Sequence, residues 1–220
     1  NTFSGTGSNA TIGHGLGVAP TVILCKNMGS GSDNWNWNNF SISALGNTGR
    51  YYFNENAGNS AAAAAWNSTA PTSTLVSLGS NGENNGSSMF LLAFAPIQGF
   101  SKFGSYVGEG NQDAGGAFVY TGFKPALVIM KNQGSSEDWH AYDNKRTNSF
   151  NPSNKTVDPN NTNAEYTIGT AGVGDVDFLA NGFKWKATAS ALNGNGANYM
   201  YMAWAEAPFV NSEGGPCNAR

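Results

Sequence analysis

The residues able to do chemistry are few. His14 sits in a Gly-His-Gly turn, and His140 follows Trp139 in a strand-like stretch. Neither is accompanied by a G-x-S-x-G or similar nucleophile motif, so an acyl-transfer triad has no support. Glu137 and Asp138 are adjacent. On a strand they would face opposite sides, which separates the carboxylates that glycoside hydrolysis must hold together. Asp175 and Asp177 would share a strand face, and in Gly-Val-Gly-Asp-Val-Asp-Phe they read as loop-capping residues or a cation contact; no EF-hand spacing is present. The glycines of 13–17 lack the Lys-Ser/Thr of a phosphate loop. The expectation is a non-enzymatic protein with no cofactor and no metal centre.

Aromatic side chains are the stronger signal. Trp35 and Trp37 alternate in DNWNWNN, so they share one strand face while Asn34, Asn36 and Asn38 take the other. Trp139 and Tyr142 hold the corresponding place later in the chain. Aromatic faces beside amides suit sugar binding through stacking and directed hydrogen bonds, which makes Trp35, Trp37, Trp139 and Tyr142 candidate glycan-binding residues. Their paired occurrence favours the plainer reading, that they are core residues of a sandwich.

The elements that would position these residues occur twice. GLGVAP-TVILCKN and YTGFKP-ALVIMKN align Pro20 with Pro125, Lys26 with Lys131, Asn27 with Asn132 and, further on, Gly29 with Gly134. Trp35 aligns with Trp139 after a one-residue slip, Phe3 with Tyr106, and Met89–Ala95 with Tyr199–Ala205. A repeat of roughly 100 residues is long enough for each copy to enclose its own core. Thr21–Lys26 and Ala126–Lys131 follow a proline suited to a strand start. Phe183–Ala187 reads as a half-exposed strand after an Asn-Gly turn. Ala61–Ala65 is too short to nucleate a helix alone. The fold class predicted is all-β: two tandem β-sandwich, jelly-roll-like modules from an internal duplication, spanning residues 1–102 and 103–220. Segment 99–116 is predicted as an inter-repeat strand. Asn144–Asn163 is a polar insertion peculiar to the second copy, of the kind that carries binding variation.

Composition sets the outer bounds. Only 11% of the 220 residues are charged, 29 are glycine and 12% are aromatic. The surface is wetted by amides and hydroxyls, and the aromatic share is enough for real cores. A formal charge of −3 offers no footprint for nucleic acid. No apolar run is long enough to span a bilayer, so membrane insertion is not expected. Cys25 lies in an apolar run and reads as a small buried hydrophobe, while Cys217 lies in the Gly/Pro tail.

Taken together, GHGLGVAPTVILCKN, WNSTAPTSTLVSLGSNG, FSKFGSYVGEGN, GAFVYTGFKPALVIMKN, DFLANGFKWK and YMYMAWAEAPFVNSEGGPCNAR resemble a family of virion structural, tail-fibre-like proteins. These occur in tailed phages of marine and freshwater bacteria, cyanophages included. The resemblance covers nearly the whole chain. It implies a noncatalytic particle component, virion-borne and extracellular: a capsid decoration, head fibre or tail-fibre part. It implies as partners further copies of the chain, expected as a trimer, and other capsid or tail proteins. The alternative reading is a host-surface glycan-binding adhesin module.

Overall fold

The computed structural model describes residues 1–29, 46–111, 115–147, 151–170 and 172–208, and the backbone of 36–39. Within these residues the chain is almost wholly β, and every strand pairing is antiparallel. It divides into two units, Asn1–Ala95 and Pro96–Arg220.

The first unit contains β1 (Thr2–Ser4), β2 (Ala10–Gly13), β3 (Val22–Asn27), β4 (Asn36–Asn39), β5 (Gly49–Tyr52), β6 (Ser60–Ala61), β7 (Leu75–Leu78) and β8 (Ser88–Phe94). Its main sheet runs β1-β8-β3-β4-β5-β6, and β2 pairs with β7. Ile23, Cys25, Met89 and Leu91 of the main sheet meet Val76 and Leu78 of the smaller one, together with Ala65 and Trp66 from the alanine-rich turn. Trp66 is held there by its indole N–H, which donates to Gly49 O at 3.1 Å. Cys25 is a buried free thiol, and burial pushes its pKa up to about 12, with the Glu83 charge adding to the shift.

The second unit contains β9 (Ser101–Val107), β10 (Phe118–Tyr120), β11 (Pro125–Asn132), β12 (His140–Asp143), β13 (Gly174–Leu179), β14 (Gly182–Ala187), the short helix α1 (Ser190–Asn193) and β15 (Asn198–Ala205). A four-stranded sheet, β12-β11-β15-β9, packs on a three-stranded one, β10-β14-β13. Val128, Met130, Tyr142, Tyr199 and Tyr201 of the first sheet meet Val119, Val176, Phe178, Phe183 and Trp185 of the second. Alternation explains the sorting: Phe183 and Trp185 point inward while Lys184 and Lys186 stay partly exposed. The segment expected to join the repeats, β9, is an edge strand of the four-stranded sheet, paired with β15 from Ser101↔Trp204 to Val107↔Asn198. The division between units accordingly falls ahead of the expected boundary at residue 102.

The two units share strand order and register. The run β1-β8-β3-β4 matches β9-β15-β11-β12, and β2-β7 matches β10-β14. Asn27 pairs with Met89 and Asn132 with Tyr199; Ile23 pairs with Ala93 and Val128 with Ala203. Phe3↔Met89 answers to Tyr106↔Tyr199, and Ile12↔Val76 to Val119↔Phe183. The sequence repeat aligns the first three of these pairings, whereas the match of Ile12↔Val76 with Val119↔Phe183 comes from the structure.

Candidate functional site

The polar side chains of the second unit gather where β11 turns into β12 and where the insertion folds back. Lys131, fully buried, donates from Nζ to the carbonyls of Asn132 and Ser135, each at 3.0 Å. Burial lowers its pKa to about 8, with Glu137 and Asp138 pulling in the opposite direction. Asp138 accepts from Asn160 Nδ2 at 2.6 Å, and the Trp139 amide donates to Asn160 Oδ1 at 2.8 Å. Glu137 accepts from the Ser190 hydroxyl at 2.8 Å.

Next along the strand, His140 Nδ1 lies 2.9 Å from Asp158 Oδ1, both side chains being buried. Asp158 also accepts from Asn161 Nδ2 at 3.0 Å and from the Tyr166 hydroxyl at 2.9 Å. Burial alone would raise the Asp158 pKa, but the bonds from His140, Asn161 and Tyr166 outweigh it and hold the carboxyl below its ordinary value. The same contacts push the Tyr166 phenol upward, burial first and the Asp158 bond second.

This His–Asp pair has half the geometry of a triad. The other half is missing: His140 Nε2 is buried and meets no hydrogen-bonding partner among the described residues. No group of three or more potential metal ligands forms among the described residues either. What the cluster does is tie the insertion down. Ala141 and Val157 exchange two backbone hydrogen bonds, as do Ser153 and Val176. Asn151 pairs its side-chain amide with the backbone of Phe178, donating at 3.1 Å and accepting at 2.9 Å. Residues 151–157 thus bond to both β12 and β13, the adjacent edges of the two sheets, and cover strand edges that would otherwise be open.

Of the four candidate glycan-binding residues, Trp139 and Tyr142 are core residues, as the plainer reading expected. Trp139 keeps 1% of its surface exposed and Tyr142 none. Tyr142 stands edge-on to Trp185 with centroids 5.5 Å apart and donates its hydroxyl to Gly174 O at 2.8 Å, which joins the two sheets. Neither ring has a face to offer a sugar, because the insertion and the opposing sheet occupy that space. Trp35 lies outside the described residues. Trp37 lies in β4, where its backbone pairs with Leu24 and Tyr51, and its side chain lies outside the description. The other candidates hold local structural positions. Asp175 Oδ2 accepts from the Gly172 amide at 3.0 Å, a loop cap. His14 accepts from the Leu16 amide at Nδ1 and donates from Nε2 to Thr72 O at 3.0 Å.

Sequence reasoning missed a matched pair, Asn84 and Asn193. Both are buried. Asn84 Oδ1 accepts from the Thr6 amide at 2.8 Å, and its Nδ2 donates to Gly79 O at 3.1 Å. Asn193 Oδ1 accepts from the Glu109 amide at 2.9 Å, and its Nδ2 donates to Ala187 O at 2.8 Å. Each also receives a glycine amide on its backbone carbonyl, Gly7 in one unit and Gly110 in the other. The available signal was the recurrence of Gly-x-Gly after the first strand together with an Asn-rich turn before the last.

Fold and site define an all-β protein of two sandwich units whose polar clusters serve the architecture. The chain belongs to the DUF7483 family, a domain of unknown function whose family model matches residues 1–208. No curated protein matches the chain, and no solved structure does.

Proposed function

We propose that the chain is a non-enzymatic structural module of a phage particle's exterior, assembled as a homo-oligomer on capsid or tail. One observation carries the reading: Lys131, His140 and Asp158 are buried, and the hydrogen bonds they make hold the chain together. Lys131 bonds to two carbonyls, and Asp158 to the residues that hold the insertion. Asn84 and Asn193 close matching loops in the two units. Matched strand order and register support descent of both units from one duplicated ancestor. A surface wetted chiefly by amides and hydroxyls interacts with little dependence on salt, because screening acts on exposed charges. The resemblance to virion structural proteins supplies the particle context.

Immunogold labelling of intact particles of the encoding phage, with antibodies raised against the recombinant chain, tests the reading. Regular labelling of the particle surface is the expected result, with a trimer mass for the recombinant chain in light scattering. Its absence from purified particles, with the protein found only in the lysate, overturns it.

A further inference from the structure

We propose that the outer face of the β10-β14-β13 sheet is a binding site for an anionic glycan, with Phe118 and Tyr120 as the stacking platform and Lys102, Lys184 and Lys186 as its charged rim. The face differs from the aromatic positions the sequence suggested. Val119 points into the core, so its neighbours Phe118 and Tyr120 point out, and they keep 48% and 57% of their surface exposed. Two residues apart on a strand, their Cα atoms stand about 7 Å from each other, a spacing that a short oligosaccharide spans. Their seats are built by glycine. Phe118 Cε2 comes within 3.1 Å of where a Gly182 Cβ would stand, and the Tyr120 hydroxyl within 3.5 Å of the same point on Gly122.

The matching unit serves as an internal control. Val119↔Phe183 corresponds to Ile12↔Val76, so Phe118 and Tyr120 fall on the positions of Thr11 and Gly13. The same strand forms there with no aromatic side chain, so the fold does not require the two rings.

Charge selects the occupant. Lys184 stands directly across from Phe118, and Lys186 lies two residues further on the same face. The Lys102 ammonium sits 5.1 Å from the Tyr120 ring centroid and donates to Tyr120 O at 2.8 Å. Among the described residues, the carboxylates on this face are Asp177, across from Lys184, and Asp175, which is buried and capped by Gly172. Lys102, Lys184 and Lys186 against these two carboxylates leave the described residues of the face net cationic on a chain whose formal charge is −3. A second copy seated on this face about a two-fold axis would set lysines against lysines, which disfavours self-pairing. A flat, ring-bearing face rimmed by lysine suits a carboxylated or sulfated sugar, which offers C–H faces to the rings and anions to the rim.

The inference does not depend on the particle role, because the test uses the isolated chain. Binding of alginate oligosaccharides, sulfated galactan oligosaccharides and neutral cello-oligosaccharides would be measured by calorimetry. The comparison set is the unaltered chain, Phe118→Thr with Tyr120→Thr, and Lys184→Ser with Lys186→Ser. The expected result is binding of an anionic probe, weakened about ten-fold or more by the aromatic pair of substitutions. The lysine pair should weaken it several-fold and flatten its salt dependence. Both variants should melt within a few degrees of the parent, since the altered side chains are on the surface. No binding to either anionic probe, unchanged binding in the aromatic variant, or equal binding of the neutral probe overturns the proposal. So does an oligonucleotide or a polyglutamate peptide that binds more tightly through the same residues, or self-association abolished by the aromatic substitutions.

Discussion

The two units solve the same packing problem with different edges. In the first, the strand after β3 continues into β5 and β6, so the main sheet widens to six strands. In the second, the corresponding sheet stops at β12, and a polar insertion bonds across to β13. A wider sheet needs only strand-forming residues such as Arg50-Tyr51-Tyr52. An insertion that crosses between sheets must be fastened to both, and it is, through the side chains of Asn151, Asp158 and Asn160 and the backbone of Ser153. The lesson is that much of the polar density in the second unit goes into sealing a strand edge.

That comparison can be broken most forcefully in the cores. Trp185 and Leu78 occupy corresponding register positions, and both are buried. Trp185→Ala should cost about 4 kcal/mol and Leu78→Ala about 3 kcal/mol in urea unfolding, the difference following side-chain volume. Equal costs would show that the two positions are not packed alike.

The asparagine pair sharpens the match. Asn84→Ala and Asn193→Ala each leave a buried carbonyl and a partly buried backbone amide without their partner, so each should cost about 2 kcal/mol. Similar losses are expected from both. A loss confined to one unit would mean that only that loop closure depends on its asparagine.

Lys131 supplies a smaller, pH-dependent difference. Its folded pKa is lowered to about 8 against an ordinary 10.5. Between these values the unfolded chain holds a proton that the folded chain has released, so stability rises as pH climbs above about 8. The gain should reach about 1–2 kcal/mol near pH 9.5, before the tyrosines raised by burial begin to oppose it. Lys131→Met should flatten this rise; a rise that persists in the variant would assign it to another group. The smallest effect expected is that of Asn151→Ala, about 1 kcal/mol, since it removes two partly buried hydrogen bonds at a strand edge. A loss confined to the second unit, followed by hydrogen exchange at Phe178, would mark that edge as locally sealed.

Much of the fold was legible in the sequence. Prolines before apolar runs marked β3 and β11, and the alternation in Phe183–Ala187 showed which side chains enter the core. The repeat aligned the strands that later proved to share register. The site was far less legible. Trp139 and Tyr142 carry the residue types of a sugar platform, yet both are covered, while Phe118 and Tyr120 lie open. Local pattern assigns a residue to one of two faces; it does not say which face another segment will cover.

Sequence alone determined the β class and where several strands lie, because these rest on local periodicity and turn chemistry acting within a few residues. Only the tertiary structure decided which polar residues are spent on holding the chain together and which aromatics reach solvent. Burial is a property of surfaces brought together from distant parts of the chain: Asn193 lies 84 positions from the Glu109 amide it satisfies. No spacing rule in the sequence records that encounter.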